Sequence, residues 1–225
     1  MFYHILTSII GAHACKQDAV KFFEDEERII AVVADGLGSK RKSAYGARLI
    51  CNLIVEELRT ARLPLQPSDI GSPHRWYGYL DKKNWRHDEC STTCSYAVID
   101  KGTRQVSVGQ IGDSPVFICI DNKPIVEIKQ QKDFSNVTDC LGGKAINSFA
   151  TYNYSYSSTI RVLVTTDGIG DELDSSTLDA LFSYLISKYQ NFSRKSRSRR
   201  FTKELKATIG QVNHDDKSAI YIWST

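Results

Sequence analysis

Long apolar runs are missing from this chain of 225 residues, and so is a strong excess of either charge. A helix that crosses a bilayer needs roughly 20 consecutive apolar residues. No segment approaches that, so a membrane partner is not expected. Ile5–Ile10, followed by Ala12-His13-Ala14-Cys15, imitates a short signal peptide. The run is polar in its middle and no basic residue precedes it, which points to a cytoplasmic protein. A net charge of +3 is too small to indicate a polyanionic partner by itself. The 6 cysteines show no paired zinc spacing. Cys90 and Cys94, four apart in a strand-like segment, face the same way but lie too far apart to bridge, so reduced and mostly buried thiols are expected. Gly38-Ser39-Lys40-Arg41-Lys42-Ser43 lacks the spacing of a nucleotide phosphate loop.

What the chain does have is a series of acidic turns: Gln17-Asp18-Ala19, Asp35-Gly36-Leu37-Gly38, Gly112-Asp113-Ser114, Asp167-Gly168-Ile169-Gly170-Asp171 and Asp215-Asp216-Lys217-Ser218. A single Asp-Gly is a turn signal, because glycine accepts positive φ and aspartate caps its own backbone. Here, however, most of the turns abut apolar runs. Ile29–Ala34 leads into Asp35 and Ile160–Thr166 into Asp167, each a nearly continuous apolar segment of strand length, as expected for strands buried on both faces. Carboxylates gathered at strand ends without histidine or thiolate partners suit hard cations such as Mg²⁺ or Mn²⁺, and two such ions can activate water against a phosphate.

Strands are predicted near 3–10, 18–24, 28–34, 92–100, 104–111, 115–120, 123–128, 149–156, 160–166 and 217–223. Helices are predicted over about 43–58, with Ala47, Ile50, Cys51, Ile54 and Leu58 forming one stripe, and over about 176–189, with Leu178, Leu181, Phe182, Leu185 and Ile186. With 41% hydrophobic residues the chain can bury a substantial core, and residues 1–225 are expected to form one domain. Many strands with few helices indicate a central β-sandwich whose outer faces the helices cover.

The ordered set Gln-Asp-Ala, Asp-Gly-x-Gly, Ser-Thr-Thr, Gly-Asp-Ser, Thr-Asp-Gly-x-x-Asp and Asp-Asp-x-Ser resembles the type 2C metal-dependent serine/threonine protein phosphatases in a compact bacterial form, over about Ile10 to Trp223. The resemblance implies an α+β fold, a four-layer α-β-β-α sandwich of two central antiparallel sheets flanked by helices. It further implies hydrolysis of phosphoserine or phosphothreonine by water activated between two Mn²⁺ or Mg²⁺ ions. Asp35 would bridge the ions, with the Gly36 carbonyl completing one shell. Asp167 and Asp215 would hold the other ion, and Asp18 would act through metal-bound water. Asp113 and Asp171 match the carboxylates that hold a third, looser ion in many members. The register between Asp215 and Asp216 is open by one residue, with Asp215 favoured. The implied partner is a phosphorylated protein, the product of a serine/threonine kinase.

Three positions depart from the pattern. His13 stands where animal members carry a phosphate-gripping arginine. Gln17 stands where an acidic neighbour of Asp18 is expected, and Leu37 where some relatives place a histidine. His13 and Arg41 are the candidate phosphate contacts, with Lys16, Lys40 and Arg48 as further cations. An imidazolium can hydrogen-bond phosphate but lacks the guanidinium's rigid fork. His13 and Gln17 motivate the alternative of a catalytically weak pseudophosphatase that binds phosphoproteins.

Leu63–Glu89 is broken by Pro64, Pro67, Gly71, Pro73 and Gly78, while Trp76, Tyr77, Tyr79 and Trp85 supply either a partner platform or rings that fasten a loop and short helix to the core. Ser193–Lys206 holds seven cations against the lone Glu204, and charge this dense is expected to stay solvated. It could steer phosphorylated partners; no nucleic-acid fold signature accompanies it, so nucleic acid is not an expected partner.

Overall fold

The computed structural model describes residues 1–12, 15–130, 139–143, 148–174, 176–208 and 213–225. Among them, ten strands form two antiparallel five-stranded sheets. One sheet has the order β1 (Phe2–Ile9), β10 (Lys217–Ser224), β9 (Ile160–Thr165), β6 (Val116–Ile120), β7 (Val126–Ile128). The other runs β2 (Ala19–Glu24), β3 (Arg28–Ala34), β4 (Cys94–Asp100), β5 (Gln105–Ile111), β8 (Ala150–Ser155). Helices α1 (Ser43–Leu58) and α2 (Ser72–Lys82) cover the second sheet, while α4 (Leu178–Tyr189) and α5 (Arg194–Thr208) cover the first. The short turn α3 (Asp167–Gly170) follows β9. The result is the four-layer α-β-β-α arrangement.

Strand β3 explains why the central strands read as unbroken apolar runs. Ile29, Ala31 and Val33 point between the sheets toward Val162, Val164, Ile220 and Ile222. Ile30, Val32 and Ala34 point outward, under Ile50, Ile54 and Leu58 of α1. Both faces are dry, so the period of two leaves no polar trace. All six cysteines are free thiols, five of them buried and Cys15 exposed.

Over 63–89 the reading in which aromatic rings fasten a short helix to the core holds. Helix α2 forms across the stretch that its prolines and glycines made unreadable, because Pro73 sits in the first turn, where a missing N–H costs nothing. The Glu57 carboxylate accepts hydrogen bonds from Gly71 N (2.7 Å) and Ser72 N (2.9 Å) and so caps it. Trp76 is buried and donates to the Gly46 carbonyl (3.0 Å), which makes it a fastener to α1.

Helix α5 does depart from the sequence expectation. The seven cations were expected to remain solvated, but Arg197 is 6% exposed. Its guanidinium donates to the carbonyls of Tyr189 (3.1 Å), His4 (3.1 Å) and Phe192 (2.9 Å) and lies against the stacked rings of Tyr3 and Trp223. Three carbonyl acceptors and two π faces replace the lost water. Helix α5 thereby covers β1, an edge strand whose Leu6 N–H donates to Ser198 Oγ (3.0 Å). Toward its N-terminal half, other charges work against the helix. No acid occupies its first turn, and the like-charged i, i+4 pairs Lys195/Arg199 and Arg199/Lys203 each cost about 0.2–0.5 kcal/mol.

The strand registers bring the acidic turns to one end of the sandwich. Ala19 pairs with Ala34, Val33 with Ser95, Cys94 with Ile111, Ala219 with Thr165, and Ile9 with Lys217. The loops that begin or end at these residues carry Asp18, Asp35, Asp113, Asp167 and Asp215.

Candidate active site

The backbone of Asp35 is held by Ser91-Thr92-Thr93. The Asp35 carbonyl accepts from Thr93 N (2.8 Å) and Thr92 Oγ1 (2.7 Å), and its N–H donates to Thr93 Oγ1 (3.2 Å). Thr93 Oγ1 also meets Ser114 Oγ at 2.9 Å, which links this turn to the one bearing Asp113. Glycine follows Asp35 for a packing reason: a Cβ on Gly36 would stand 2.8 Å from the Ser43 backbone and 2.9 Å from the Gln17 carbonyl oxygen. Likewise a Cβ on Gly168 would stand 2.0 Å from the Asp216 carbonyl oxygen, so the turn after Asp167 and the turn before β10 touch backbone to backbone.

Asp215 and Asp216 have separate environments. Asp216, 1% exposed, accepts from Gly11 N (2.7 Å) at Oδ1 and from Gln17 N (2.6 Å) and Asp18 N (3.1 Å) at Oδ2, so its carboxylate is consumed in holding the segment between β1 and β2. Asp215 faces a cavity of about 430 Å³ lined also by Asp167, Gly168, Asp171, Glu172, Asn213 and His214.

Burial and crowding raise the site's carboxyl pKa values. Burial pushes Asp18 up to about 7, although Thr166 Oγ1 donates to its Oδ2 at 2.9 Å. Asp35 is raised well above the usual carboxylate range by burial and then by the charges of Asp18, Asp167 and Asp215. Burial, followed by the charges of Asp113, Asp215 and Asp171, brings Asp167 up to about 6. Asp18 Oδ1 and Asp167 Oδ1 are buried with no hydrogen-bond donor among the described residues. Mutually repelling carboxylates with undonated oxygens are the donor chemistry of a hard divalent cation. Among the described residues no three His, Cys, Asp or Glu side chains close on one point tightly enough to cage an ion. The set fits such a cation in chemistry, with side-chain adjustment still required to complete a shell.

Gln17 uses its amide structurally, donating to Ser43 Oγ (3.0 Å) and the Gly38 carbonyl (3.4 Å); the second of these is beyond a carboxylate. Arg41 is exposed in the loop after Asp35 and makes no ion pair or hydrogen bond among the described residues. His13 lies outside the described residues. Asp171, at the cavity rim, is paired with Lys129 at 2.5 Å. Lys40 approaches Asp88 (3.9 Å), Lys42 pairs with Glu89, and Lys16 donates to Ser8 Oγ (2.8 Å).

Sequence reasoning missed Lys217. It is 1% exposed, and its ammonium donates to Asn213 Oδ1 (2.7 Å) and to the carbonyls of Asn213 (3.0 Å) and Asp215 (2.9 Å). All three donors are satisfied, and the loop that presents Asp215 is pinned. Glu172, Asn213 and His214 were missed too; their only signal is adjacency to the acidic turns.

The family model for protein phosphatase 2C matches residues 7–209, and the chain belongs to that family. Solved structures with the same fold include RsbX in complex with magnesium, with 18% identity and a TM-score of 0.66 over 100% of this chain and 96% of that one. Another is the Mycobacterium tuberculosis serine/threonine phosphatase PstP/Ppp, with 14% identity and a TM-score of 0.69 over 98% and 97% of the two chains. A third is the Staphylococcus aureus serine/threonine phosphatase Stp1, with 15% identity and a TM-score of 0.71 over 100% and 96%. No curated protein sequence matches the chain significantly. Among the described residues no helix is long and apolar enough to cross a membrane.

Proposed function

We propose that this protein is a cytoplasmic, metal-dependent phosphatase that hydrolyses phosphoserine or phosphothreonine in protein substrates. The observation that carries the reading is the convergence of Asp18, Asp35 and Asp167, with raised pKa values and two undonated oxygens, at the end of a protein phosphatase 2C fold. Asp35, the Gly36 carbonyl, Asp167 and Asp215 would hold two Mn²⁺ or Mg²⁺ ions, with Asp113 and Asp171 serving a third. When bound, the ions supply an activated water and Lewis-acid stabilisation of the phosphoryl oxygens.

The protein's own groups do the rest. Asp18 is fixed by Thr166 Oγ1 and, in the ion-free site, burial raises its pKa to about 7, so with cations bound it would release its proton and serve as an acceptor for water at the ions. Asp216 and Lys217 keep Asp18 and Asp215 in place from opposite sides of the β10 turn. Arg41, exposed in the loop after Asp35, would offer a guanidinium to the substrate phosphate, with His13 proposed as a second contact. No serine or cysteine nucleophile belongs to the set, so direct attack by water without a phosphoenzyme is the matching reaction class.

The test is hydrolysis of an aryl phosphate and of phosphoserine and phosphothreonine peptides by the pure protein during a Mn²⁺ titration. Activity should rise saturably with Mn²⁺, and Asp35→Asn or Asp167→Asn should abolish it with the fold intact. The second reading, a phosphoprotein-binding pseudophosphatase, is favoured by the structural use of Gln17 in place of an acid. Phosphopeptide binding without turnover at saturating Mn²⁺ would establish it instead.

A further inference from the structure

The seven cations of α5 divide into two groups by what they touch. Arg197 is buried on three carbonyls, Arg194 lies over the Phe22 ring (5.1 Å), and Arg200 lies over Phe192 (4.3 Å) and donates to Ser196 Oγ (3.3 Å). Lys195, Arg199, Lys203 and Lys206 are exposed and have no ion pair, hydrogen bond or ring contact among the described residues. These four fall at i, i+4, i+8 and i+11, which on a helix is one straight stripe about 16 Å long. The only acid of α5, Glu204, does not neutralise it, because its carboxylate is taken by Lys188 (2.7 Å) and by the Tyr184 and Tyr189 hydroxyls of α4. Lys195, in the first turn, opposes the helix dipole while Lys206, in the last, complements it; Arg199 repels both Lys195 and Lys203, and among the described residues no contact offsets that repulsion.

The face of α5 seated on β1 adjoins the stripe, with Arg197 at His4, Ser198 at Leu6 and Thr202, one turn from both Arg199 and Lys206, at Thr7. Since Ile9 marks the end of β1 nearest the acidic turns, the helix starts remote from the site and only its Lys206 end approaches it. Steering a substrate into the cavity is therefore a poor account of the stripe, most of which points elsewhere.

We infer that the outer face of α5 is a docking surface for an acidic segment of a partner protein, with carboxylates spaced along a helix to meet Lys195, Arg199, Lys203 and Lys206. This does not depend on the reading of the acidic site. A protein segment fits better than a nucleic acid on two grounds. Seven cations against one acid make α5 net +6 in a chain of net +3, so the rest of the chain, its buried acidic turns included, sums to −3 and the positive charge is concentrated on this one helix. The stripe also lacks the stacking rings that single-stranded nucleic acid uses. A membrane surface is disfavoured because Phe201 and Leu205, the apolar residues of α5, are turned into the core and leave nothing to insert.

The experiment uses the full chain and a fluorescent helical peptide with Glu at the same i, i+4, i+8, i+11 spacing, beside a peptide of equal composition with the Glu positions scrambled. The spaced peptide should bind about tenfold tighter, ~1.4 kcal/mol, than the scrambled one. Lys195→Gln, Arg199→Gln, Lys203→Gln and Lys206→Gln combined should erase that preference without lowering Tm. A control variant, Lys82→Gln, Lys83→Gln and Arg86→Gln, should keep it. Equal binding of the two peptides overturns the proposal, as does a preference that survives in the α5 variant. Tighter binding of a single-stranded oligonucleotide or of phosphatidylserine vesicles than of the spaced peptide, lost in the α5 variant, also overturns it.

Discussion

Replacing Asp18 with asparagine should make the ion-free protein less sensitive to alkaline conditions, although it removes a residue from the candidate site. Asp18 is 3% exposed, and burial pushes its carboxyl up to about 7. In the unfolded chain the same group ionises near pH 3.9. The native state thus keeps a proton that the unfolded state has lost, and the stability associated with it is complete below about pH 4 and drains away as pH rises through 7. Between pH 5 and 8 most of that range is crossed, about two units, or about 2.7 kcal/mol at 1.36 kcal/mol per unit. For a chain of this length that is roughly 5–10 °C in Tm. The measurement is thermal unfolding of the parent and of Asp18→Asn in a chelator at pH 5 and 8. Every other titrating group is common to both proteins, so the change in their Tm difference isolates Asp18 and the proton it can share with Asp35. The parent should lose roughly 5–10 °C relative to the variant. Added Mn²⁺ should then stabilise the parent at pH 8 more than at pH 5, because the cation favours the ionised carboxylates. Parallel pH profiles for parent and variant in chelator would refute the crowding argument.

His4 should act with the opposite sign: burial, reinforced by Arg194 and Arg197, brings its pKa down to about 3, and this outweighs Glu24 Oε2 at 3.6 Å. The native ring stays neutral against Phe22 while the unfolded chain takes up a proton below pH 6.5, so about 2 kcal/mol should be lost by pH 5 in the parent and not in His4→Leu, as read by chemical denaturation. Lys217→Met strands the Asn213 and Asp215 carbonyls, leaving Asn213 Oδ1 only Asp215 N, and should cost about 1–3 kcal/mol while raising the Mn²⁺ concentration needed for half-maximal activity; an unchanged Mn²⁺ requirement would limit Lys217 to stability. Arg197→Lys should destabilise by about 1–3 kcal/mol in denaturant melts, since an ammonium cannot span three separated carbonyls, whereas Arg199→Lys should be neutral. Asp113→Ala or Asp171→Ala should lower turnover while leaving the tight ion pair bound by calorimetry, and Lys129→Ala should improve Mn²⁺ use at Asp171 by removing its competing ammonium.

The sheets were legible in the sequence because each strand is bounded by a turn signal and filled with apolar or alternating residues; β3 and β9 read clearly even though both their faces are buried. Helix α1 was legible down to its ends, since one stripe faces one sheet. Helix α2 was hidden because Pro73 reads as a breaker until its place in the first turn is known. Arg197 was hidden because its acceptors are carbonyls of residues 4, 189 and 192, and carbonyl geometry leaves no mark in a sequence. The acidic turns that the strand registers gather at one end were singled out by residue type and order. The division between Asp215, which lines the cavity, and Asp216, which receives three backbone N–H groups, depends on which oxygens face which amides. Lys217 looked like an ordinary strand-end lysine.

The position of β10 between β1 and β9 sets an order of assembly. Phe2 pairs with Ser224 and Ile9 with Lys217, so among the described strands β1 has none to pair with until β10, about two hundred residues later, is made. Asp216 comes with it and closes on the N–H groups of Gly11, Gln17 and Asp18, contacts that span about two hundred residues of chain. Such long-range closures come late in folding. Until then Asp18 lacks its clamp and Asp215 its place, so a growing chain could carry nearly the whole second sheet and still have no competent acidic centre. Competence would be gained in a single step, when the final strand slots into the sheet.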